Sequence, residues 1–129
     1  VSVHTREATD FTLELLQKEK IEGLKGIFHC FGGTLEEARQ VIELGFMLGI
    51  GGVVTYKNTN LRETLKHIDL KHIVIETDSP YLAPVPYRGK RNDAAYMLET
   101  AKVLATVYER SLEEIAAITT ANSMEIFGC

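Results

Sequence analysis

Short apolar runs alternate along this chain with longer stretches in which apolar residues recur every three or four positions. The runs at residues 1–4, 26–30, 46–50 and 72–76 are nearly continuous, which predicts four strands covered on both faces. Phe11, Leu15 and Leu16 share one face of a predicted first helix, with Thr9 or Asp10 as its cap. Thr34 and Glu37 form a capping-box pattern ahead of Leu35, Ala38, Val41 and Ile42. Asn60 and Glu63 open a short helix that reaches about residue 67. Pro80, Pro84 and Pro86 all fall in the loop after the fourth strand. Asn92 is then placed to cap a long helix whose Met97, Ala101, Leu104 and Tyr108 share a face. Ser111 with Glu114, and Asn122 with Glu125, predict two final helices, and Gly128 stops the last.

Strands separated by helices imply a parallel sheet. The polar ends of the predicted strands fall at His4, His29, Gly51 and Asp78, in steps of about 25, 22 and 27 residues. Eight such units give roughly 200 residues, the lower end of a (β/α)8 barrel, and four give half of one. A four-stranded, open, doubly wound sheet fits the same string, so the pattern alone leaves both α/β architectures open.

The chain has 129 residues, enough for one domain. At 45% apolar and 25% charged it has a globular composition, which excludes a disordered, collagen-like or coiled-coil chain. A net charge of −4 argues against a general cationic grip on nucleic acid or an anionic membrane, so nucleic-acid chemistry would need a local basic patch or a bound metal. The apolar runs are too short to span a membrane. Cys30 and Cys129 are too few for a disulfide framework, and point to a reducing, cytoplasmic setting. The first residue is Val1, inside a predicted strand, which predicts that the chain is a carboxyl-terminal piece of a longer protein.

His4, His29 and Asp78 each end a strand. In a parallel α/β sheet those ends form one rim, where active sites sit. Two histidines and a carboxylate converging there suit a divalent metal used for hydrolysis. His67 and His72 flank a turn at the opposite end of a strand and read as surface or structural residues. Cys30 reads as a small buried neighbour of His29 rather than a nucleophile, because adjacent strand residues point to opposite faces. Arg88, Lys90 and Arg91 stand ahead of a helix start, where their charge opposes the helix dipole. That placement fits a phosphate-binding role as well as it fits a solvated charge run. The glycines at 32–33 and 49–52 lack a dinucleotide fingerprint and read as tight turns.

Five segments together resemble the TatD family of metal-dependent hydrolases and deoxyribonucleases: V-H-T-R-E-A (3–8), F-H-C-F-G-G (28–33), G-I-G-G-V-V-T-Y-K-N (49–58), I-E-T-D-S-P-Y-L-A-P (75–84) and R-G-K-R-N (88–92). They occur in the family's order and cover nearly the whole chain. The resemblance implies a TIM barrel of the amidohydrolase type, with residues 1–129 supplying barrel strands five to eight. It implies divalent metal ions (Mg, Mn or Zn) held by His4, His29 and Asp78, with Asp78 also orienting or deprotonating the attacking water. The implied reaction is hydrolysis of a phosphodiester in DNA, commonly from a 3′ end. Arg6, Arg88, Lys90 and Arg91 are then expected to contact phosphate, and Tyr81 to pack beside a base or wall the site.

The family's H-x-H pair on strand one and its bridging Glu near strand four lie outside this sequence. One copy is therefore expected to bind metal weakly. After R-G-K-R-N the chain reads Asp93-Ala94, without the proline that often starts the next helix in the family. Half a barrel leaves two strand edges unpaired and one sheet face uncovered, so self-association through the open edges is expected. An ester or amide hydrolase, such as one acting on aminoacyl-tRNA, and a non-catalytic half-barrel that assembles with a partner are the competing readings.

Overall fold

The computed structural model describes residues 1–19 and 21–129. Its strands are β1 (Ser2–His4), β2 (Gly26–His29), β3 (Phe46–Ile50) and β4 (Ile73–Ile75). Its α-helices are α1 (Thr9–Glu19), α2 (Leu35–Glu43), α3 (Leu61–Leu65), α4 (Met97–Tyr108) and α5 (Leu112–Phe127). Short 3-10 turns occupy Gly52–Thr55, Leu70–His72 and Ala94–Tyr96. All three strand pairs are parallel and follow the order β1-β2-β3-β4. A doubly wound sheet reverses its order at a switch point. The strictly sequential order is instead that of half a TIM barrel.

The pleat sends alternate side chains to opposite faces. Phe28, Leu48, Ile50 and Ile73 lie under the helices, fully buried with Leu13, Leu104 and Ile115. Ile27, Met47 and Val74 form a smaller cluster, against which Ile126 of α5 packs. Each fully buried side chain of this size contributes about 1.5–3 kcal/mol of apolar transfer.

The capping boxes at Thr34–Glu37 and Ser111–Glu114 form with both reciprocal bonds in place. Gly128 closes α5 at φ +73°, a left-handed position that suits glycine. Elsewhere the expected elements need correction. Thr9 and Asp10 lie inside the first turn of α1 rather than ahead of it. That helix buries Leu13 and part of Leu16, whereas Phe11 is 68% exposed and Leu15 is also exposed. Asn60 makes no side-chain cap bond, and the hydroxyl of Thr59 accepts from the Leu61 amide instead.

Asn92 does not cap α4. Asp93 caps the preceding 3-10 turn, and the Asn92 amide donates to the Tyr81 carbonyl. The two predicted final helices are one. Asn122 sits in the middle of α5, where its buried amide donates to the carbonyls of Leu70 (2.9 Å) and Ile73 (2.7 Å). An asparagine with two backbone partners elsewhere has no need to end a helix. Among the described residues no helix is long and apolar enough to cross a membrane.

Candidate metal centre

β1, β2 and β4 end on the same rim, with His4 and His29 at strand ends and Asp78 three residues beyond β4, but among the described residues these three do not form one group of ligand atoms within 4.8 Å of one another. The rings of His4 and His29 are 5.9 Å apart between centroids. His29 Nε2 lies 3.2 Å from Asp78 Oδ1. The other ring nitrogen, Nδ1, lies 2.8 Å from Oε2 of Glu76, a residue the sequence reading took only as the end of a strand. Period-two alternation was the available signal, because it puts Glu76 and Asp78 on one face.

Cys30 leaves the ladder in a left-handed conformation, φ +53°. This turns its backbone N–H onto Glu76 Oε1. Both Glu76 oxygens are therefore engaged by the chain. Gly49 gives the carboxylate its space, since a Cβ there would lie 2.7 Å from the Glu76 carboxyl carbon.

These contacts fix the electrostatics. Burial alone would lower the His29 pKa, but the hydrogen bonds and charges of Glu76 and Asp78 outweigh it and raise the pKa above 6.5. Burial, then the charges of Glu76 and Asp78, push the Cys30 thiol up to about 12. A thiol held protonated is a poor nucleophile, but the expected placement needs correction: Cys30 is only half-buried, and because it leaves the strand its sulfur lies within 4.8 Å of the His29 and Glu76 ligand atoms rather than on the opposite face.

His29, Cys30 and Glu76 offer ligand atoms within 4.8 Å of one another. The donor chemistry favours a different set. Glu76 is already satisfied by the Cys30 amide and His29 Nδ1, which fits the place of a carboxylate that orients an imidazole from behind. It leaves Nε2 facing Asp78. His4, His29 Nε2 and Asp78 are a chemically suitable donor set for a divalent ion.

The loop after β4 is pinned beside this rim. The Tyr56 hydroxyl donates to the Ala83 carbonyl at 3.0 Å, and the Val85 amide donates to the Thr55 hydroxyl at 2.9 Å. The Asn92 amide nitrogens bond to the carbonyls of Pro80 and Tyr81. Gly52 lets the loop approach, because a Cβ there would lie 2.5 Å from the Leu82 carbonyl oxygen.

On this loop Tyr81 is 69% exposed, and Arg88, Lys90 and Arg91 are exposed. The Arg88 guanidinium lies 3.9 Å above the Tyr56 ring, a contact that orders it. Arg6 is exposed just beyond His4. Tyr56 and Asn92 were not expected in these roles, since nothing local marks a hydroxyl or amide whose partner lies far along the chain. His67 and His72 lie before β4, away from the rim, as expected.

A sequential parallel half-barrel with histidines and carboxylates at one rim defines an α/β barrel half with a candidate metal centre, and similarity places it more closely. The sequence matches the family described as TatD related DNase over residues 1–128. It is 41% identical over 128 residues to the uncharacterized metal-dependent hydrolase YabD of Bacillus subtilis (strain 168), covering 98% of this chain and 50% of that protein. It is also 41% identical to the uncharacterized metal-dependent hydrolase YcfH of Escherichia coli (strain K12), covering 98% of this chain and 48% of that protein.

The crystal structure of YJJV, a TatD homolog from E. coli K12, superimposes with a TM-score of 0.93 at 25% identity. That match covers all of this chain and 50% of YJJV. A TatD-family hydrolase from Entamoeba histolytica shares the fold at a TM-score of 0.84 and 24% identity, over 97% of this chain and 49% of that one. The chain belongs to the TatD-related DNase family and spans about half the length of the curated relatives it matches.

Proposed function

We propose that residues 1–129 are strands five to eight of a divalent-metal-dependent hydrolase that cleaves phosphodiester bonds of DNA from a 3′ end. The observation that carries this reading is His29 held between Glu76 and Asp78 on the strand rim, beside an ordered cationic loop. His4, His29 and Asp78 would hold the metal. A bound divalent ion lowers the pKa of water and offsets charge on phosphoryl oxygens.

The chain's own groups do the rest. Glu76 accepts the Nδ1–H of His29 and so fixes the tautomer that leaves Nε2 free as a ligand. Asp78 orients the attacking water and accepts its proton at a carboxylate oxygen. Arg6, Arg88, Lys90 and Arg91 neutralise phosphates, and Tyr81 offers a face to a base. The remaining ligands, the H-x-H pair and a bridging Glu, would come from an amino-terminal half. The free thiols of Cys30 and Cys129 fit a reducing cytoplasm.

The test is release of nucleotides from single-stranded DNA by the full-length protein with Mg, Mn or Zn, in parallel with deacylation of aminoacyl-tRNA. Metal-dependent nucleotide release is expected, falling at least about 100-fold in His29→Ala and Asp78→Asn. Deacylation without nucleotide release would move the reading to an ester substrate. Absence of both activities would overturn the hydrolase reading.

A further inference from the structure

Arg88, Lys90 and Arg91 share one loop, but the fold builds a seat for Arg88. Its backbone lies in a turn closed by the Lys90 amide, which donates to the Tyr87 carbonyl at 3.0 Å, with Gly89 at φ +85°. That left-handed position suits glycine. The Tyr87 ring stacks on Tyr96, 3.9 Å between centroids and 6° from parallel, which ties the turn to the segment entering α4. The Arg88 guanidinium itself lies 3.9 Å from the centre of the Tyr56 ring.

Tyr56 is a rigid base for that contact. It is only 7% exposed. Its hydroxyl donates to the Ala83 carbonyl, its amide donates to the Val53 carbonyl at 3.0 Å, and its carbonyl accepts from the Arg62 guanidinium. Burial raises the Tyr56 pKa most, the Arg88 charge lowers it and the Cys30 charge raises it, so the ring is near both the cation and the neighbour of His29. Every group in this seat belongs to the segments that follow β3 and β4.

An arginine on an open surface loses rotamer freedom when it grips a ligand, and one already held has less to lose. A contact to the π face of a ring leaves the N–H donors for a two-point grip on phosphate, which a lysine cannot make. We propose that Arg88 is the principal phosphate anchor of this loop and that Tyr56 is its positioning residue. The inference rests on the reading above only in taking a phosphate-bearing substrate, so it holds for DNA and tRNA alike.

Fluorescence anisotropy with a short labelled single-stranded DNA, in EDTA and at several salt concentrations, tests it on the full-length protein. Arg88→Ala should weaken binding about 10-fold and flatten the salt dependence by one phosphate contact, a slope change of about 0.7. Lys90→Ala and Arg91→Ala should each cost only about 2-fold. Tyr56→Leu should cost about 2- to 5-fold, and Tyr56→Phe, which keeps the ring, should recover most of that. In the Arg88→Ala background Tyr56→Leu should cost nothing more, whereas a tyrosine that only braced the fold would give additive losses. Additive losses, equal losses at all three cations, or no binding by the wild type would overturn the proposal. The arginine side-chain NMR spectrum of the wild type decides even if Tyr56→Leu does not fold. The Arg88 Nε–H proton should lie upfield of that of Arg91 under the Tyr56 ring current, and coincident, averaged signals would overturn the proposal. Binding is read without metal, so a failure to release nucleotides in the assay above would remove the reaction and leave the anchor standing.

Discussion

His29 is gripped at both ring nitrogens, and the two grips differ in purpose. Glu76 sets the ring's orientation and Asp78 shares its ligand face. Both carboxylates raise its pKa, so its contribution to folding stability is complete below the unfolded value near 6.5 and is lost as pH rises through the higher folded value. Metal binding needs Nε2 unprotonated, so affinity should rise over that same upper window. In Glu76→Gln the window should move to lower pH, and metal affinity well above it should fall about 10- to 100-fold. Imidazole proton shifts followed by NMR, with calorimetric metal titrations, check both. An unmoved pKa would show that Glu76 does not grip the ring.

The candidate ligands His4, His29 and Asp78 were legible because histidines and an aspartate recur at strand ends. Glu76 was hidden because an acid at the end of an apolar run also reads as the first solvent-facing residue. The roles of Arg6, Tyr81, Lys90 and Arg91 rest on exposure beside the rim, which a sequence pattern does not distinguish from ordinary surface.

At the scale of elements, local signals worked where the partner was three residues away. Thr34 and Ser111 cap as expected, each worth about 1 kcal/mol. They failed where the partner was distant. Asn122 resembles a cap in the sequence, yet it ties α5 to the segment entering β4, some fifty positions earlier in the chain. Asn122→Ala would orphan two carbonyls in that packed joint. We expect a loss of about 1–3 kcal/mol, read from urea unfolding, with the helical signal below the transition retained. No loss would mean that water replaces the amide without cost. The exposure of Phe11 has a similar origin, since α1 meets the sheet through Leu13 and Leu16 and a period of 3.6 cannot say which of two apolar stripes faces inward.

Across the whole molecule, sequential parallel strands carry the rim residues on one side and the stabilising turns on the other. That division places His4, His29 and Asp78 on one rim while His67 and His72 lie at the other end of the sheet. The alternation of strands and helices was enough to predict a parallel sheet. Choosing between half a barrel and an open doubly wound sheet needed the strand order, which depends on packing between distant segments, or the family resemblance.

The central claim, that His29 Nε2 and Asp78 face a shared divalent ion with Glu76 behind, is tested most directly by anomalous diffraction from crystals grown with Mn²⁺ or Zn²⁺. The account predicts a peak within coordination distance of His29 Nε2 and Asp78, and none in contact with Glu76. A peak between His29 Nδ1, Glu76 and Cys30 Sγ, or no peak on the rim at all, would contradict it.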